Sequence, residues 1–225
     1  MATHLDLEEQ EQLDQLKHFW KQYGNLVTWL LIAALGSFAA WNGWAWWQRD
    51  QAVKAGAMFD ELDRAAQAGD ADKATRVFAD LKERYQRTAF AQQGGLLAAK
   101  LQFEKGKLDA AQASLAWVAE NGVEAEYQSV ARLRLAGALL DAKKFDEALK
   151  QLDAAGAKEF EALVADRRGD VLQAQGKTTE AVAAYTKAWK AMESTVDYRR
   201  LIEAKLTALG APPEAVAVAK PEASK

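Results

Sequence analysis

Histidine, the commonest general base in enzymes, occurs only twice in this chain of 225 residues, as His4 and His18. Cysteine is absent. Ser–His and Cys–His nucleophiles and cysteine-based zinc sites all need these two residue types. Both histidines lie before the long apolar segment of the chain, so the rest of the sequence has no residues for such chemistry. We expect no catalytic residues, no metal and no cofactor.

The run Gly176-Lys177-Thr178 resembles the end of a phosphate-binding loop, G-x-x-x-x-G-K-T. Such a loop needs a glycine five residues before its second glycine, where this chain has Val171, and it follows a β-strand. A helical pattern precedes the run here. We therefore interpret these residues as the turn of a helical hairpin.

Asp166 and Asp170 lie one helical turn apart, a spacing at which two carboxylates can hold a cation or do acid–base work. Arg167 and Arg168 lie between them, and such mixed charge on a repeat surface is typical of a solvated face. We predict that the protein is not an enzyme. An enzyme that uses carboxylates alone stays as an alternative.

The charge and composition of the chain limit its fold and its partners. The formal net charge is −3, and the whole excess falls in residues 1–21, which have five acidic and two basic side chains. No basic face is expected elsewhere, so nucleic-acid binding is disfavoured. Ala, Leu, Lys, Glu, Asp and Gln are abundant and there are only three prolines, which favours long helices. We predict an all-α protein.

Residues 22–48 contain no formal charge, and LVTWLLIAALGSFAAW at their centre is almost wholly apolar. About 20 helical residues cross the hydrocarbon core of a bilayer, so residues 25–47 are predicted to form a single transmembrane helix. Six of the eight tryptophans fall within residues 20–47, and indole rings favour the headgroup level. The residues predicted to contact lipid at the two membrane interfaces are Trp20, Tyr23, Trp41, Trp44, Trp46 and Trp47.

Other interpretations of the apolar segment fit the sequence less well. A cleaved signal peptide would have a basic start and a shorter apolar run, and an interfacial helix would have a charged face. A helix buried in a soluble core would not need tryptophans at both ends. Two basic residues lie close to each end of the segment, so charge leaves its orientation open. The spacing of Gly36, Ala40 and Gly43 would let another helix approach closely, although Gly and Ala are common in any such segment.

Four later stretches align without gaps, starting at Gly69, Gly106, Lys143 and Gly176. Each has an alanine followed, four residues later, by a large side chain. The alanines are Ala74, Ala111, Ala148 and Ala181, and the large residues are Phe78, Leu115, Leu152 and Tyr185. Residues at i and i+4 share one helix face, so each stretch is predicted to be the second helix of a hairpin. A glycine that tolerates positive φ is expected in the turn before it.

The alanines are spaced by 37, 37 and 33 residues, and this period with its small-then-large pattern resembles the tetratricopeptide repeat (TPR). The first copy is expected to begin with a helix at about residues 51–68, and a capping helix is expected to start at Ser194 as its N-cap. The predicted organisation is an acidic segment (1–24), a transmembrane helix (25–47), a TPR-like α-solenoid of about four helical hairpins with a C-terminal capping helix (48–209), and a disordered tail (210–225).

Stacked helix pairs leave a concave surface lined by their first helices, which suits a peptide or a helix of another protein. The residues predicted from the repeat register to face this groove are Gln93, Lys100, Glu104, Asp141, Asp166, Asp170 and Gln173. Trp117 and Trp189 are predicted to pack in the core instead.

The chain combines an acidic start containing EQLDQLKHFWKQYGN, an apolar run ending in WNGWAWW, and the repeat stretches ARLRLAGALLDAKKFDEALKQLD and VADRRGDVLQAQGKTTEA. This order of parts, up to about Leu209, resembles the bacterial family of ancillary SecYEG translocon subunits (YfgM-like). The resemblance implies a single-pass inner-membrane protein with its N-terminus in the cytoplasm and its repeat domain in the periplasm. It also implies association with SecYEG, a PpiD-like membrane-anchored foldase and periplasmic chaperones.

Repeat pattern and resemblance together predict a non-enzymatic, membrane-anchored adaptor that links translocated proteins to periplasmic chaperones at the Sec translocon. The alternative is a general TPR scaffold for envelope assembly or cell division, unrelated to secretion.

Overall fold

The computed structural model describes residues 7–213, with side chains described from residue 11 onward. Within this range the chain forms nine α-helices and one short 3-10 helix, Lys158–Phe160, and no strand. The α-helices are α1 Leu7–Gln67, α2 Ala71–Arg84, α3 Ala89–Glu104, α4 Leu108–Asn121, α5 Ala125–Asp141, α6 Phe145–Asp153, α7 Glu161–Ala174, α8 Thr178–Ala191 and α9 Tyr198–Ala208. The all-α prediction is confirmed. The tail predicted from residue 210 lies, from residue 214 on, outside the described residues, as does the start of the acidic segment.

The chain divides into two compact units, Met1–Gln51 and Ala52–Lys225. The first consists, in its described part, of α1 residues, most of whose apolar side chains are exposed. In the most apolar window of α1 only 6% of the residues are buried, whereas a core helix of a soluble protein would be mostly buried. This helix is the one in the described part of the chain that is long and apolar enough to cross a membrane.

The second unit is a stack of helical hairpins. The last turns of α1 pair with α2, because Leu62 and Ala65 share a buried cluster with Ala74 and Phe78. The next three pairs are α3 with α4, α5 with α6 and α7 with α8, and α9 packs against α8. Short connections make the two helices of each pair antiparallel neighbours. The prediction of about four hairpins with a capping helix is confirmed.

The repeated small-then-large pattern builds the core of each hairpin. Ala74, Ala111, Ala148 and Ala181 are all fully buried, at 0% exposure, and the four large residues are 0–6% exposed. An alanine at this position lets the two helices of a pair approach closely, and the large side chain one turn later fills the space beside it. Trp117 and Trp189 are half-buried and pack against this core, as predicted.

Each hairpin turn has the same backbone conformation. Gly69, Gly106 and Gly176 have φ values of 69°, 71° and 77°, and Lys143 occupies the equivalent position with φ 59°. In the third turn the N–H of Lys143 donates to the carbonyl of Leu140 at 2.9 Å, and the next N–H donates to Leu139 at 2.8 Å. The same pair of bonds closes the three glycine turns. The left-handed residue therefore ends each first helix by satisfying its last carbonyl groups.

Replacing Lys143 by glycine is expected to stabilise the protein by about 0.5–1 kcal/mol, because a side chain in the left-handed region is strained and glycine removes that strain. Urea unfolding followed by circular dichroism measures the change. Lys144→Gly is the matched control: this residue has φ −88°, so it should gain nothing from glycine. A Lys143→Gly variant no more stable than Lys144→Gly would contradict the conformational reason.

The capping helix begins later than predicted. Ser194 is not its N-cap: α9 starts at Tyr198, with Asp197 at the cap position. Backbone hydrogen bonds from Val196 to Glu193 and from Arg199 to Val196 form turns before the helix. The Arg199 guanidinium stacks over the Trp189 ring at 4.1 Å, which fixes where the chain enters α9.

Candidate functional site: a groove on the helical repeats

A groove of about 490 Å³ opens between α3 and α5, with α4 and α7 at its sides. Apolar side chains make most of its wall and charged side chains lie at its rim. The lining residues are Ala99, Lys100, Phe103, Glu104, Leu115, Leu133, Arg134, Gly137, Ala138, Asp141 and Arg167. Concave sites with an apolar floor and a few polar groups are where ligands usually bind.

The repeat register explains why the groove opens at this place. The position six residues before the left-handed turn residue holds Lys100 in α3, Gly137 in α5 and Asp170 in α7. A Cβ atom added to Gly137 would lie 3.8 Å from the Arg167 guanidinium, so the missing side chain leaves real space. The small residues Ala99 and Ala138 widen the same space.

The structure brings three of the predicted groove residues together. Lys100, Glu104 and Asp141 line this groove, and all three are exposed. Gln93 is not part of it, because its amide donates to the Tyr127 hydroxyl at 2.7 Å. Sequence reasoning missed Phe103, whose side chain is 47% exposed at the groove.

The missed residues had a signal in the repeat alignment. Leu133 stands ten residues before its turn, where the earlier copies have Leu96 and Phe59. Three large apolar residues at one register position of the first helices indicate an apolar inner surface. The repeat position shared by Leu133, Leu96 and Phe59, together with the position of Phe103, would have been enough to identify the groove floor from the sequence.

Asp166, Asp170 and Gln173 belong to a different site. Asp166 is only 1% exposed, and its carboxylate accepts hydrogen bonds from the Tyr198 hydroxyl at 2.8 Å and from Lys205 Nζ at 2.8 and 2.9 Å. Lys205 also donates to Asp170 Oδ1 at 2.7 Å. The interpretation of Asp166 and Asp170 as a solvated face is therefore wrong, because α9 covers them and supplies the counter-charge.

Two tyrosines complete this network, which we call the cap cluster: Asp166, Asp170, Tyr185, Tyr198 and Lys205. Tyr185 donates to Asp170 Oδ1 at 2.8 Å, and its oxygen lies 2.9 Å from Gln173 Oε1. Burial, and the hydrogen bond to Asp166, raise the pKa of Tyr198 to about 12. Burial and Asp170 likewise raise the pKa of Tyr185. Both hydroxyls therefore stay protonated and act as donors to the carboxylates.

The cap cluster joins α9 to α7. Both carboxylates already have their donors, and no group of three His, Cys, Asp or Glu side chains that could hold a metal occurs among the described residues. Its charges hold α9 on α7, which closes the end of the stack. The groove between α3 and α5, by contrast, is open to a ligand.

The aromatic residues predicted at the membrane interfaces lie on α1 and are all exposed. Trp20 and Tyr23 are 58% and 43% exposed. Trp41, Trp44, Trp46 and Trp47 are 45–74% exposed, and the rings of Trp44 and Trp47 lie 5.1 Å apart. These side chains lie near the two ends of the apolar stretch, and their contact with lipid headgroups stays a prediction.

Comparison with known proteins adds to this description. A family model described as a tetratricopeptide repeat-like domain matches residues 17–211. A protein of Neisseria gonorrhoeae named ancillary SecYEG translocon subunit is 33% identical over 212 residues, covering 93% of this chain and 100% of that protein. Proteins with the same name from Haemophilus influenzae and Escherichia coli are 27% and 28% identical, covering 81% and 79% of this chain and 89% and 85% of theirs. The chain belongs to the family of ancillary SecYEG translocon subunits, which has a tetratricopeptide repeat-like domain.

Proposed function

We propose that this protein is a non-enzymatic, single-pass subunit of the SecYEG translocon whose groove binds segments of other polypeptides. The observation that carries the proposal is that the chain has both an exposed apolar helix and a repeat domain with an open groove of apolar floor and charged rim. The relatives' name supports the assignment to the translocon. The span, residues 25–47, would dock against the channel or its lipid.

The groove supplies the physical means of binding. Its floor is apolar, and at its edge lies the exposed aromatic side chain of Phe103, a residue type that is enriched in protein interfaces. A segment bound there would bury this ring and exclude water from the floor. Anchoring the domain to the membrane raises its effective concentration near the channel, so even weak contacts in the groove become useful.

The proposal includes an orientation and a set of partners. The N-terminus would lie in the cytoplasm and the repeat domain in the periplasm, where a PpiD-like foldase and other chaperones would meet the groove. The family resemblance supports both points. Proteolysis of intact spheroplasts tests the orientation: the repeat domain should be digested together with a periplasmic control protein, and its survival there would contradict the proposal.

Removing the span is expected to abolish association with the translocon. Cells would express the full-length protein or a protein that starts at residue 49, the latter exported behind a cleavable signal peptide. SecYEG cross-linked to each protein before the cells are lysed would be recovered and quantified. We expect at least a tenfold loss for the shortened protein, since it has lost the effective concentration that the membrane gives. Equal recovery of SecYEG with both proteins would show that the span has no part in the association.

A further inference from the structure

The groove has an uneven distribution of charge along its length. Glu104 and Asp141 are the last residues of α3 and α5. Both occupy the same register position, two residues before the turn residue, so they lie at one end of the groove. Lys100 and Arg134 lie one and two turns nearer the start of these helices, respectively. The fifth charged lining residue, Arg167, is already paired with an aspartate of α7 at 3.3 Å. The groove therefore has an acidic end and a basic end.

These charges are poorly compensated within the protein. Glu104 and Asp141 stand at helix C-termini, where the helix dipole is already negative and acidic side chains are unfavourable. Lys100 is 3.9 Å from Glu104, a long contact in the less favourable order of charges along a helix. Arg134 and Asp141 are exposed and have no ion-pair partner among the residues that the structure describes. Such groups are available to the charges of a ligand.

The floor of the groove has room for one large side chain. Ala99, Gly137 and Ala138 are small, and a Cβ added to Gly137 would meet its nearest neighbour at 3.8 Å, an ordinary contact. The groove is open to solvent, so the rest of a bound segment would lie along its charged rim. Arg134 and Asp141 are seven residues apart on α5, a separation of about 10 Å along the helix axis. An extended chain covers the same distance with about three residues.

We propose that the groove selects extended polypeptide segments in which a large apolar residue lies between an acidic and a basic side chain about three residues apart. The apolar side chain fills the space above Gly137. The acidic side chain meets Arg134 and Lys100, and the basic side chain meets Asp141 and Glu104. This inference rests on the proposed function, because it names the class of segment that the same groove would bind.

Four fluorescent peptides of equal length test the charge selection on the full-length protein in lipid nanodiscs. Each has one central leucine in a Gly/Ser background, with both charges, the acid alone, the base alone, or neither. The peptide with both charges should bind tightest. Each favourable charge contact should contribute about two- to fivefold in Kd at low salt, the range of exposed ion pairs.

Charge-reversing variants separate the two ends of the groove. Arg134→Glu should weaken the acid-containing peptides by about three- to tenfold and leave the base-only peptide unaffected or tighter. Asp141→Lys should do the opposite. Lys190→Glu is the matched control, an exposed lysine outside the groove on α8, and it should change none of the four affinities. Circular dichroism would verify that each variant stays folded.

The results of these binding measurements distinguish the charge selection from the groove's role as a polypeptide-binding site. Four equal affinities, or equal effects of Arg134→Glu and Lys190→Glu, would overturn the charge selection. If those equal affinities were also abolished by Gly137→Trp, the groove would remain a polypeptide site and only the selection would fail. If no peptide bound at millimolar concentration, both the charge selection and the groove's role as a polypeptide-binding site would be overturned. The assignment to the translocon would not be affected, because recovery of SecYEG with the full-length protein tests it independently.

Discussion

Replacing Lys205 by methionine is expected to destabilise the C-terminal end of the repeat domain by about 3–5 kcal/mol, the cost of leaving a buried charge without its partner. Asp166 would keep one donor, Tyr198, but lose both hydrogen bonds from the ammonium group. The Asp166 side chain is only 2% exposed, so water cannot take the place of the lost ammonium group. Amide hydrogen exchange in α9 should show the change first, because Lys205 ties that helix to α7.

Two further variants make this prediction specific. Lys187→Met is the same substitution in an exposed pair with Glu161, whose side chains are 63% and 48% exposed, and it should cost less than about 1 kcal/mol. Combining Lys205→Met with Asp166→Asn removes the unpaired charge and should restore part of the loss. Equal effects of the two lysine substitutions would show that the cap cluster is not the buried ion pair described here.

Adding one methyl group at Gly169 is expected to cost about 2–3 kcal/mol. A Cβ there would lie 2.4, 2.5 and 2.8 Å from three ring atoms of Tyr185. Tyr185 is fully buried, and its hydroxyl is held by Asp170, so the ring cannot move away without breaking that bond. The overpacking outweighs the gain of up to about 1 kcal/mol that alanine normally gives over glycine in a helix.

Gly137→Ala is the matched control for Gly169→Ala, since both glycines are inside helices. The new methyl group at Gly137 would meet its nearest neighbour at 3.8 Å, an ordinary contact, so this variant should be about 0.5–1 kcal/mol more stable than the parent. Urea unfolding of the two variants should thus give changes of opposite sign. Destabilisation by both would contradict the packing described at Gly137.

The repeat architecture could be predicted from sequence because its determinants are local. An alanine and a large residue one turn apart define the buried face of each second helix, and a left-handed turn residue marks the end of each first helix. Ala111 with Leu115, followed 37 residues later by Ala148 with Leu152, is such a local signal repeated. Even the third turn was predictable by alignment, although Lys143 replaces glycine there.

The cap cluster could not be predicted in the same way, because its contacts join distant parts of the chain. Asp166 and Lys205 are 39 residues apart, and nothing in the local pattern of α7 shows that α9 will cover it. Charged residues are seldom buried without a partner, so a run of Asp and Arg favours a solvated face until the partner is known. The late start of α9, at Tyr198 rather than Ser194, has the same origin.

The groove is an intermediate case. Its charged rim was predictable from register, and Lys100, Glu104 and Asp141 were found that way. Its floor depends on Gly137, where a missing side chain creates space only because of how α5 packs beside α3. A sequence pattern can indicate which face a residue is on, but the volume left between two helices follows from their packing.

Site-specific photo-cross-linking from position 103 would show whether the groove binds other polypeptides in the cell. A photoreactive phenylalanine analogue would replace Phe103 in the full-length protein in cells, with the same analogue at Lys190, outside the groove, as the control position. We expect adducts from position 103, and not from position 190, with SecYEG subunits, chaperones or chains in translocation. Membrane-inserted protein that forms no polypeptide adduct at position 103, or the same adducts at both positions, would contradict this expectation.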